Sequence, residues 1–169
     1  KTGIDFGLLK NMIGVFSHPL AVICDTLFLS TLPEREFRSG FAEVIKHALI
    51  ADAKLFHILA KANFGAMDEK ELEYILLRSC KIKCDVVTKD ADEKGLRKTL
   101  NFGHTVGHAI ERRSHDTNSP LLHGEAISRG MVAEARLSLR AGLISKKDFA
   151  DVEKIIAKAK RNSRIGRSY

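Results

Sequence analysis

The sequence predicts a mainly α-helical domain that follows a short N-terminal segment with one strand. From residue 32 onward, apolar residues recur at intervals of three and four, which places them on one face of a helix. Residues 20–29 (LAVICDTLFL) form a short apolar run after Pro19 with several β-branched side chains, which predicts one buried strand. No obvious partner strand accompanies this run, so helices account for most of the predicted structure.

Three helices are predicted in the first half of the helical region. The first has Pro33 in its first turn, a position that proline favours, and the second covers residues 53–62. Asp68 is a good N-cap with Glu71 three residues later, so it opens a long helix that ends near Thr88. The apolar stripe of the first helix is Phe37, Phe41, Ile45 and Ala48, and that of the third includes Leu72, Ile75, Leu76, Ile82 and Val86.

Three further helices are predicted after an acidic turn at residues 90–94. Asn101 is predicted to be the N-cap of a helix that carries His104 and His108. The polar stretch 112–120 contains a proline and predicts a loop. The last two helices cover 122–142 and 145–160, with Gly142 ending the first and Ser145 capping the second.

Composition limits the class of protein. The 169 residues are 44% hydrophobic and 29% charged, and no apolar run reaches the ~18 residues that span a bilayer, so we expect a soluble protein without a membrane partner. The three cysteines lack the spacing of a disulfide framework and no secretory leader opens the sequence, which indicates a reducing cytoplasm. The abrupt start at Lys1, without an initiator methionine, indicates a fragment of a longer protein.

The formal net charge of +7 is compatible with an anionic small substrate or with nucleic acid. The basic residues of the middle of the chain are interspersed with acidic ones, and the chain has no tryptophan and only two tyrosines to stack on bases. These features disfavour a nucleic-acid partner.

A cluster of histidines is the main indication of function. His104 and His108 in the string NFGHTVGHAIE are four residues apart and share one helix face, and a turn can bring His123 to the same face. Catalytic zinc usually takes three protein ligands and leaves one position open, so a metal site is the first hypothesis. Thr105 stands where a helical metalloprotease needs glutamate, which excludes that class. Spacing alone leaves open whether both histidines bind metal or whether His108 is a surface or core residue.

Two other groups of charged residues have alternative interpretations. Glu43, Lys46 and His47 share a helix face and form either an ordinary helical ion pair or part of a site. The second group is a charge cluster around a loop and is either a solvated face or part of a site; it consists of Lys81, Lys83, Glu93 and Arg97.

Five strings occur in order within residues 1–142: KTGID, LLKNMIGVF, LPEREFRSGFAEVIKHALI, GLRKTLNFGHTVGHAIE and LLHGEAISRGM. Together they resemble 3-dehydroquinate synthase and its sugar-phosphate cyclase relatives. The resemblance implies that residues 1–30 are the trailing segment of an NAD-binding α/β domain and that 31–169 form a helical metal- and substrate-binding domain. It also implies a homodimer.

The resemblance also implies a set of site residues. Glu43, His104 and His123 are expected to bind Zn²⁺ or Co²⁺, while His108 faces the substrate. Lys46 and Glu93 match polar active-site positions, and with His108 they are the expected catalytic residues. The expected substrate-binding residues are Lys1, Asn11 and Asn101 at the phosphate end, and Lys83 and Arg97 at the carboxylate and nearby hydroxyls.

The implied activity is that of an NAD- and metal-dependent carbon–oxygen lyase of the shikimate pathway. Such an enzyme converts 3-deoxy-arabino-heptulosonate 7-phosphate to 3-dehydroquinate plus phosphate, and NAD⁺ accepts and returns a hydride. The glycine-rich cofactor half is expected to precede Lys1, so this chain is expected to be inactive alone. The alternatives are a cyclase of the 2-deoxy-scyllo-inosose or valiolone synthase type, or a basic helical binding module.

Overall fold

A computed structural model describes residues 2–6, 9–15 and 20–161 of the chain. Two strands, β1 (Thr2–Phe6) and β2 (Leu9–Val15), form an antiparallel hairpin in which Thr2 lies opposite Val15. The remaining described elements are α1 (Glu34–Ala51), α2 (Ala53–Lys61), α3 (Glu69–Lys89), α4 (His104–Ser114), α5 (His123–Arg140) and α6 (Lys146–Arg161), with short 3-10 helices at Thr26–Thr31 and Leu96–Asn101. The mainly α-helical fold class is therefore confirmed.

The strand predicted at residues 20–29 is wrong. Residues 20–25 have no regular structure, and Asp25 caps the following 3-10 helix by accepting a hydrogen bond from the amide of Leu27 at 2.9 Å. A buried strand needs neighbours on its edges and faces, but Leu20 and Ile23 are almost fully exposed here. The β1–β2 hairpin was not predicted, because its sequence lacks a regular alternation of apolar and polar residues.

Helices α3 and α6 begin at local caps, as the sequence predicts. The Asp68 carboxylate accepts a hydrogen bond from the Glu71 amide at 2.8 Å and so begins α3, as predicted. Ser145 and Asp148 bond to each other's amides at 3.0 and 3.1 Å, which begins α6. Gly142 has a φ of 71° after α5, the left-handed conformation expected of a glycine at a helix end.

The start of α4 differs from the prediction. Asn101 is the last residue of a 3-10 helix, and the chain turns into α4 at Gly103, which has a φ of 82°. The cap is supplied from α5, where the Glu134 carboxylate accepts hydrogen bonds from the amides of Gly103 (2.7 Å) and Val106 (3.1 Å). A cap that comes from 31 residues away cannot be read from local spacing.

Helix α1 lies at the centre and packs against α2, α3, α5 and α6. Its buried side carries Phe37, Phe41 and Ile45, as the predicted stripe requires, and the Phe41 ring packs edge to face on Phe64 at 5.1 Å. The largest fully buried side chains are Ile45, Leu55, Leu59, Ile75, Ile127, Met131 and Ile155. None of the described helices has both the length and the apolar character needed to cross a membrane.

Helices α4 and α5 approach so closely that glycine is required between them. A Cβ atom at Gly130 would lie 2.0 Å from the carbonyl oxygen of Gly103, and one at Gly107 would lie 2.7 Å from the Ile127 side chain. These contacts set the distance between the two helices that carry the histidines.

Candidate metal and substrate site

Three imidazoles converge where α4 meets the beginning of α5. His104 and His108 lie one turn apart on α4, and His123 is the first residue of α5. Their ring centroids are 5.2 to 5.7 Å apart, and one ring nitrogen from each lies within 4.8 Å of the other two. The histidines that the sequence separates by up to 19 positions are therefore close enough to share an ion.

Glu43 of α1 faces the same point. Its Oε1 atom lies 3.6 Å from Nε2 of His104 and 3.8 Å from Nε2 of His123, both too long for a hydrogen bond. Two ligands bound to one tetrahedral zinc ion are about 3.3 Å apart, which is close to these separations. Oε1 is also buried without a hydrogen-bond partner, and a bound cation would satisfy it. The residues present therefore fit a divalent metal ion.

The other ring nitrogens of two histidines contact acceptors that orient the rings. Nδ1 of His104 lies 3.3 Å from the carbonyl oxygen of Phe102, and Nδ1 of His123 lies 3.3 Å from the Glu111 carboxylate. Metal-binding histidines commonly hold their second nitrogen in this way, which leaves Nε2 free to coordinate. Glu111 is itself buried on α4.

The arrangement allows two sets of three ligands. The predicted set is Glu43, His104 and His123, and the alternative replaces Glu43 with His108. His108 is exposed, whereas the orphaned Oε1 of Glu43 lies within the protein. Burial of an unpaired carboxylate oxygen is costly, so this difference favours Glu43 as a ligand.

The beginning of α5 is fastened to α1, which positions His123. The Gly124 amide donates a hydrogen bond to the Ser39 hydroxyl at 2.9 Å, and a Cβ at Gly124 would collide with the Ser39 carbonyl oxygen at 1.8 Å. Arg35 binds both oxygens of Glu125 at 2.8 and 2.7 Å. These contacts of Gly124 and Glu125, which follow His123 directly, hold the beginning of α5 against α1.

Lys46 is paired with Glu43 inside the protein. The Lys46 ammonium is 2.5 Å from Oε2 of Glu43, and its side chain is only 4% exposed. The sequence interpretation as a helical ion pair is therefore confirmed, but the pair lies in the wall of the site and not on a solvated face. Because Lys46 binds Oε2, the other carboxylate oxygen, Oε1, faces the histidines and can bind a metal ion.

Burial and this ion pair determine the protonation of the candidate ligands. Burial raises the pKa of Glu43, but the Lys46 ammonium more than offsets this and holds the pKa below its ordinary value. Burial, together with the charge of Lys46, lowers the pKa of His104. At neutral pH Glu43 is thus a carboxylate and His104 a neutral imidazole, the forms that bind metal.

A cavity of about 210 Å³ adjoins Glu43 and His104. We call this end of the cavity the metal pole. Two of the three predicted metal ligands line this cavity. Five other predicted site residues also line it, and they come from α1, α3 and the segment before α4. Lys83 from α3 and Arg97 from the loop provide cations, so the cavity can bind an anion such as a carboxylate. Its lining is Glu43, Lys46, His47, Lys83, Glu93, Arg97, Leu100, Asn101 and His104. Lys81, grouped with Lys83 in the sequence, is exposed and does not line it.

The Asp90 carboxylate shapes the loop that carries Glu93 and Arg97. It accepts hydrogen bonds from three backbone amides, those of Lys94 (2.9 Å), Gly95 (2.8 Å) and Arg97 (2.9 Å). These hydrogen bonds lower the pKa of Asp90, because they favour its charged form. The guanidinium of Arg97 also donates to the carbonyl of Ala91 at 2.7 Å, which turns its side chain back over the loop.

Glu93 has an uncommon backbone conformation. Its φ is 58°, in the left-handed region that residues with a side chain rarely adopt. Its carboxylate accepts a hydrogen bond from the Asn101 amide group at 2.9 Å and lies 3.9 Å from Nε of Arg97. Backbone strain of this kind often occurs at functional sites, and here it places a carboxylate against two other predicted site residues.

The sequence pattern does not reveal four residues that support the site: Ser79, Glu111, Glu134 and Asp90. The carboxylates act across helices or on backbone amides, which no spacing reveals, although the acidic turn at 90–94 was a signal for Asp90. Two predicted substrate residues cannot be placed: Lys1 lies outside the described residues, and Asn11 lies in β2 with its side chain outside the described set.

The fold matches a solved structure over nearly its whole length. The match is ValA (2-epi-5-epi-valiolone synthase) from Streptomyces hygroscopicus subsp. jinggangensis, whose structure has NAD⁺ and Zn²⁺ bound. The TM-score is 0.81 at 27% sequence identity, and the alignment covers 98% of this chain and 46% of ValA. The helical domain described above is therefore the fold of part of that enzyme.

Sequence comparisons identify the family. The chain belongs to the 3-dehydroquinate synthase family: residues 40–167 match the model of its C-terminal part and residues 1–39 match that of its N-terminal part. It is 45% identical to the 3-dehydroquinate synthase of Thermosynechococcus vestitus and 48% identical to that of Aliivibrio fischeri, in each case over 95% of the chain and 44% of the relative. The chain thus spans less than half the length of these relatives.

Proposed function

We propose that this chain is the metal- and substrate-binding portion of a 3-dehydroquinate synthase. The activity is conversion of 3-deoxy-arabino-heptulosonate 7-phosphate to 3-dehydroquinate and phosphate. The observation that carries the proposal is the position of Glu43 Oε1, buried without a partner between His104 and His123 at the edge of a cavity lined by cations. The identity of 45–48% to relatives with this name supports it.

Glu43, His104 and His123 are the proposed zinc ligands, and Co²⁺ suits the same donors. When bound, the ion supplies Lewis acidity to the substrate's hydroxyl pair and eases oxidation of the alcohol. Lys46 keeps Glu43 ionised, and the Phe102 carbonyl and Glu111 keep two of the imidazoles in orientation.

The other residues bind and orient the substrate. Lys83 and Arg97 are the proposed partners of its carboxylate, because the third cation of the cavity, Lys46, is already paired with Glu43. Asn101, held by Glu93, offers an amide to a hydroxyl or phosphate oxygen. His108, exposed beside the metal ligands, is placed to exchange a proton with the substrate near its leaving phosphate.

The described residues do not account for NAD⁺ binding. Within 2–6, 9–15 and 20–161, no strand leads through a glycine-rich turn into a helix, the arrangement that cradles a dinucleotide. We therefore propose that the cofactor is held by an additional N-terminal half; the relatives are more than twice as long as the part they share with this chain. The complete protein is this chain together with that half. We expect the chain alone to be inactive.

Phosphate release by the purified complete protein tests the proposal. With NAD⁺ and Zn²⁺ present, the heptulosonate phosphate should be consumed and 3-dehydroquinate should appear in equal amount. Removal of metal with a chelator should abolish turnover, and added Zn²⁺ or Co²⁺ should restore it. Absence of turnover with this substrate, in a protein that retains zinc, would overturn the proposal.

A second candidate is a cyclase of the valiolone synthase type, favoured by the fold shared with ValA. Sugar phosphates such as sedoheptulose 7-phosphate and glucose 6-phosphate lack a carboxylate, so Lys83 and Arg97 would lack the carboxylate partner proposed for them. Assays of the complete protein with each sugar phosphate distinguish the candidates. The homodimer and the cytoplasmic location stay predictions, which sedimentation and cell fractionation can check.

A further inference from the structure

A buried hydrogen bond joins α1 to α3 beside the cavity. Nδ1 of His47 lies 2.7 Å from the hydroxyl oxygen of Ser79, and both residues are only 5% exposed. The two residues are 32 positions apart in the chain, so this bond connects elements that the sequence does not bring together.

Each of the two helices that it joins carries a charged residue of the candidate site. Glu43 lies one turn before His47 on α1, and Lys83 lies one turn after Ser79 on α3. Because each of these charged residues is fixed to its helix, a shift of α3 along or away from α1 changes the distance from Glu43 to Lys83.

An ordinary packing role does not explain the choice of histidine. Nε2 of His47 is buried without a hydrogen-bond partner among the described residues, which is a cost that an apolar side chain of similar size would avoid. The compensating contact is the bond from Nδ1 to Ser79. His47 also lines the cavity together with Lys46 and Lys83, so the bond lies beside the groups proposed to bind the substrate.

Both partners of the hydrogen bond between His47 and Ser79 are uncharged. Burial, with a further contribution from the charge of Lys46, lowers the pKa of His47 to about 4, so the ring is uncharged at neutral pH. A polar but uncharged connection holds two helices together without adding a charge between the cations of the cavity.

We infer that His47 and Ser79 form a positioning pair, which sets the separation between the metal pole at Glu43 and the carboxylate-binding Lys83. This inference rests on the proposed function, because it concerns the distance between two ends of one bound substrate. The pair acts through the charged residues on the two helices, Glu43 on α1 and Lys83 on α3.

The test compares kinetic constants and zinc content of variants of the complete protein. Ser79→Ala removes the hydrogen bond with little change in volume, and we expect KM for the heptulosonate phosphate to rise about five- to tenfold, the effect of losing about 1 kcal/mol of substrate binding. Zinc content should stay at the wild-type level, and kcat should change less than twofold. His57→Asn, at an exposed position on α2, is the matched control and should leave KM unchanged.

Two substitutions of His47 distinguish positioning from filling of space. Asn places a polar atom where Nδ1 of histidine lies, whereas Gln places one near Nε2. His47→Asn should therefore keep KM within about twofold of wild type, while His47→Gln should behave like Ser79→Ala. In the double variant His47→Gln, Ser79→Ala, the increase in KM should equal that of either single variant, because both remove the same bond.

The outcomes separate this inference from the proposed function. A wild-type protein that turns over the substrate, with KM unaffected by Ser79→Ala, would overturn the positioning pair and leave the function standing. Equal effects of Asn and Gln at position 47, or additive effects in the double variant, would also overturn it. A wild-type protein without turnover would overturn the function itself. If His47→Gln fails to fold, Ser79→Ala and His47→Asn still decide between the outcomes.

Discussion

The carbonyl oxygen of Gly103 occupies the space that a side chain on Gly130 would need. A Cβ at Gly130 would lie 2.0 Å from that oxygen, so α4 and α5 touch through their backbones at this point. The histidines of α4 follow directly after Gly103, and His123 begins α5. The closeness of the two helices is therefore a condition for the three imidazoles to meet.

Gly130→Ala should destabilise the protein and disturb the metal site. The added methyl group forces the backbones apart, at a cost of about 3 kcal/mol in the free energy of unfolding. Urea denaturation measures the loss, and metal analysis should show reduced zinc. Gly40→Ala, where a Cβ meets nothing within 4 Å, is the control and should be neutral or stabilising by up to about 1 kcal/mol. Equal effects of the two substitutions would contradict the close approach.

The ligand assignment predicts which variants lose zinc. Glu43→Ala and His123→Ala should lower the bound zinc in the complete protein well below wild-type stoichiometry, because each removes a donor. His108→Ala should retain zinc and lose turnover. Loss of zinc in His108→Ala with retention in Glu43→Ala would show that the ion is bound by the three histidines.

The buried Glu111 should matter for metal affinity without being a ligand. Its carboxylate holds Nδ1 of His123 at 3.3 Å, and loss of such a partner typically weakens metal binding 10- to 100-fold. Glu111→Gln should show this loss in competition with a chromogenic zinc chelator. An unchanged affinity would mean that the orientation of His123 depends on other contacts.

The loop after α3 should respond to loss of Asp90. Asp90→Ala removes the acceptor of three backbone hydrogen bonds, so Arg97 and Glu93 lose their fixed positions. We expect KM to rise about tenfold or more, with zinc content unchanged, since three amides lose hydrogen bonds worth about 1 kcal/mol each. Asp92→Ala breaks only the exposed pair with Lys94 and should change KM less than about twofold. A similar KM for both variants would contradict the proposed role of Asp90.

Acid stability should depend on Asp52, which begins α2 by accepting a hydrogen bond from the Leu55 amide at 3.0 Å and also binds Arg78. Burial raises the pKa of Asp52, but these hydrogen bonds more than offset it and hold the pKa below its ordinary value. The folded protein thus binds this proton less readily than the unfolded chain. The stabilisation is present above the unfolded pKa of about 3.9 and is lost as pH falls through the lower folded pKa.

The measurement compares urea unfolding of wild type and Asp52→Asn between pH 3 and pH 7. The variant should be less stable at pH 7 by about 1 to 2 kcal/mol, because it loses a charged cap and an ion pair. The difference should shrink as the wild-type carboxyl group is protonated at the acid end. A difference that is constant with pH would mean that the charge of Asp52 does not contribute.

The parts of the fold that the sequence predicts are those decided by neighbours in the chain. The stripe containing Phe37 and Ile45, the Asp68 cap and the Gly142 turn all act within a few residues, and each prediction is confirmed. The residue type of Asn101 favours a cap, but Glu134 reaches across from α5 and accepts hydrogen bonds from the amides of Gly103 and Val106 at the start of α4. The strand at 20–29 is wrong because an apolar run predicts burial only where partners cover it.

For the candidate site, the sequence indicates which residues take part. It does not indicate the contacts that bring them together. Resemblance to a family identified Glu43, Lys83 and Arg97, whereas spacing alone left each with an ordinary alternative. The structure adds the reasons why they meet: the contact of Gly103 with Gly130, the loop around Asp90 and the bond from His47 to Ser79. Each of these depends on packing between helices, which a single sequence does not encode in any local pattern.

The buried Lys46 also sets the charge of the cavity. Two carboxylates and three cationic side chains line it, so one positive charge remains before any metal is present. A divalent ion raises this to three, while the proposed substrate carries one carboxylate charge and up to about two phosphate charges. Capture of the substrate should therefore be accelerated by long-range attraction and should slow as ionic strength rises. Without Lys46 the negative charge of Glu43 would cancel much of that attraction.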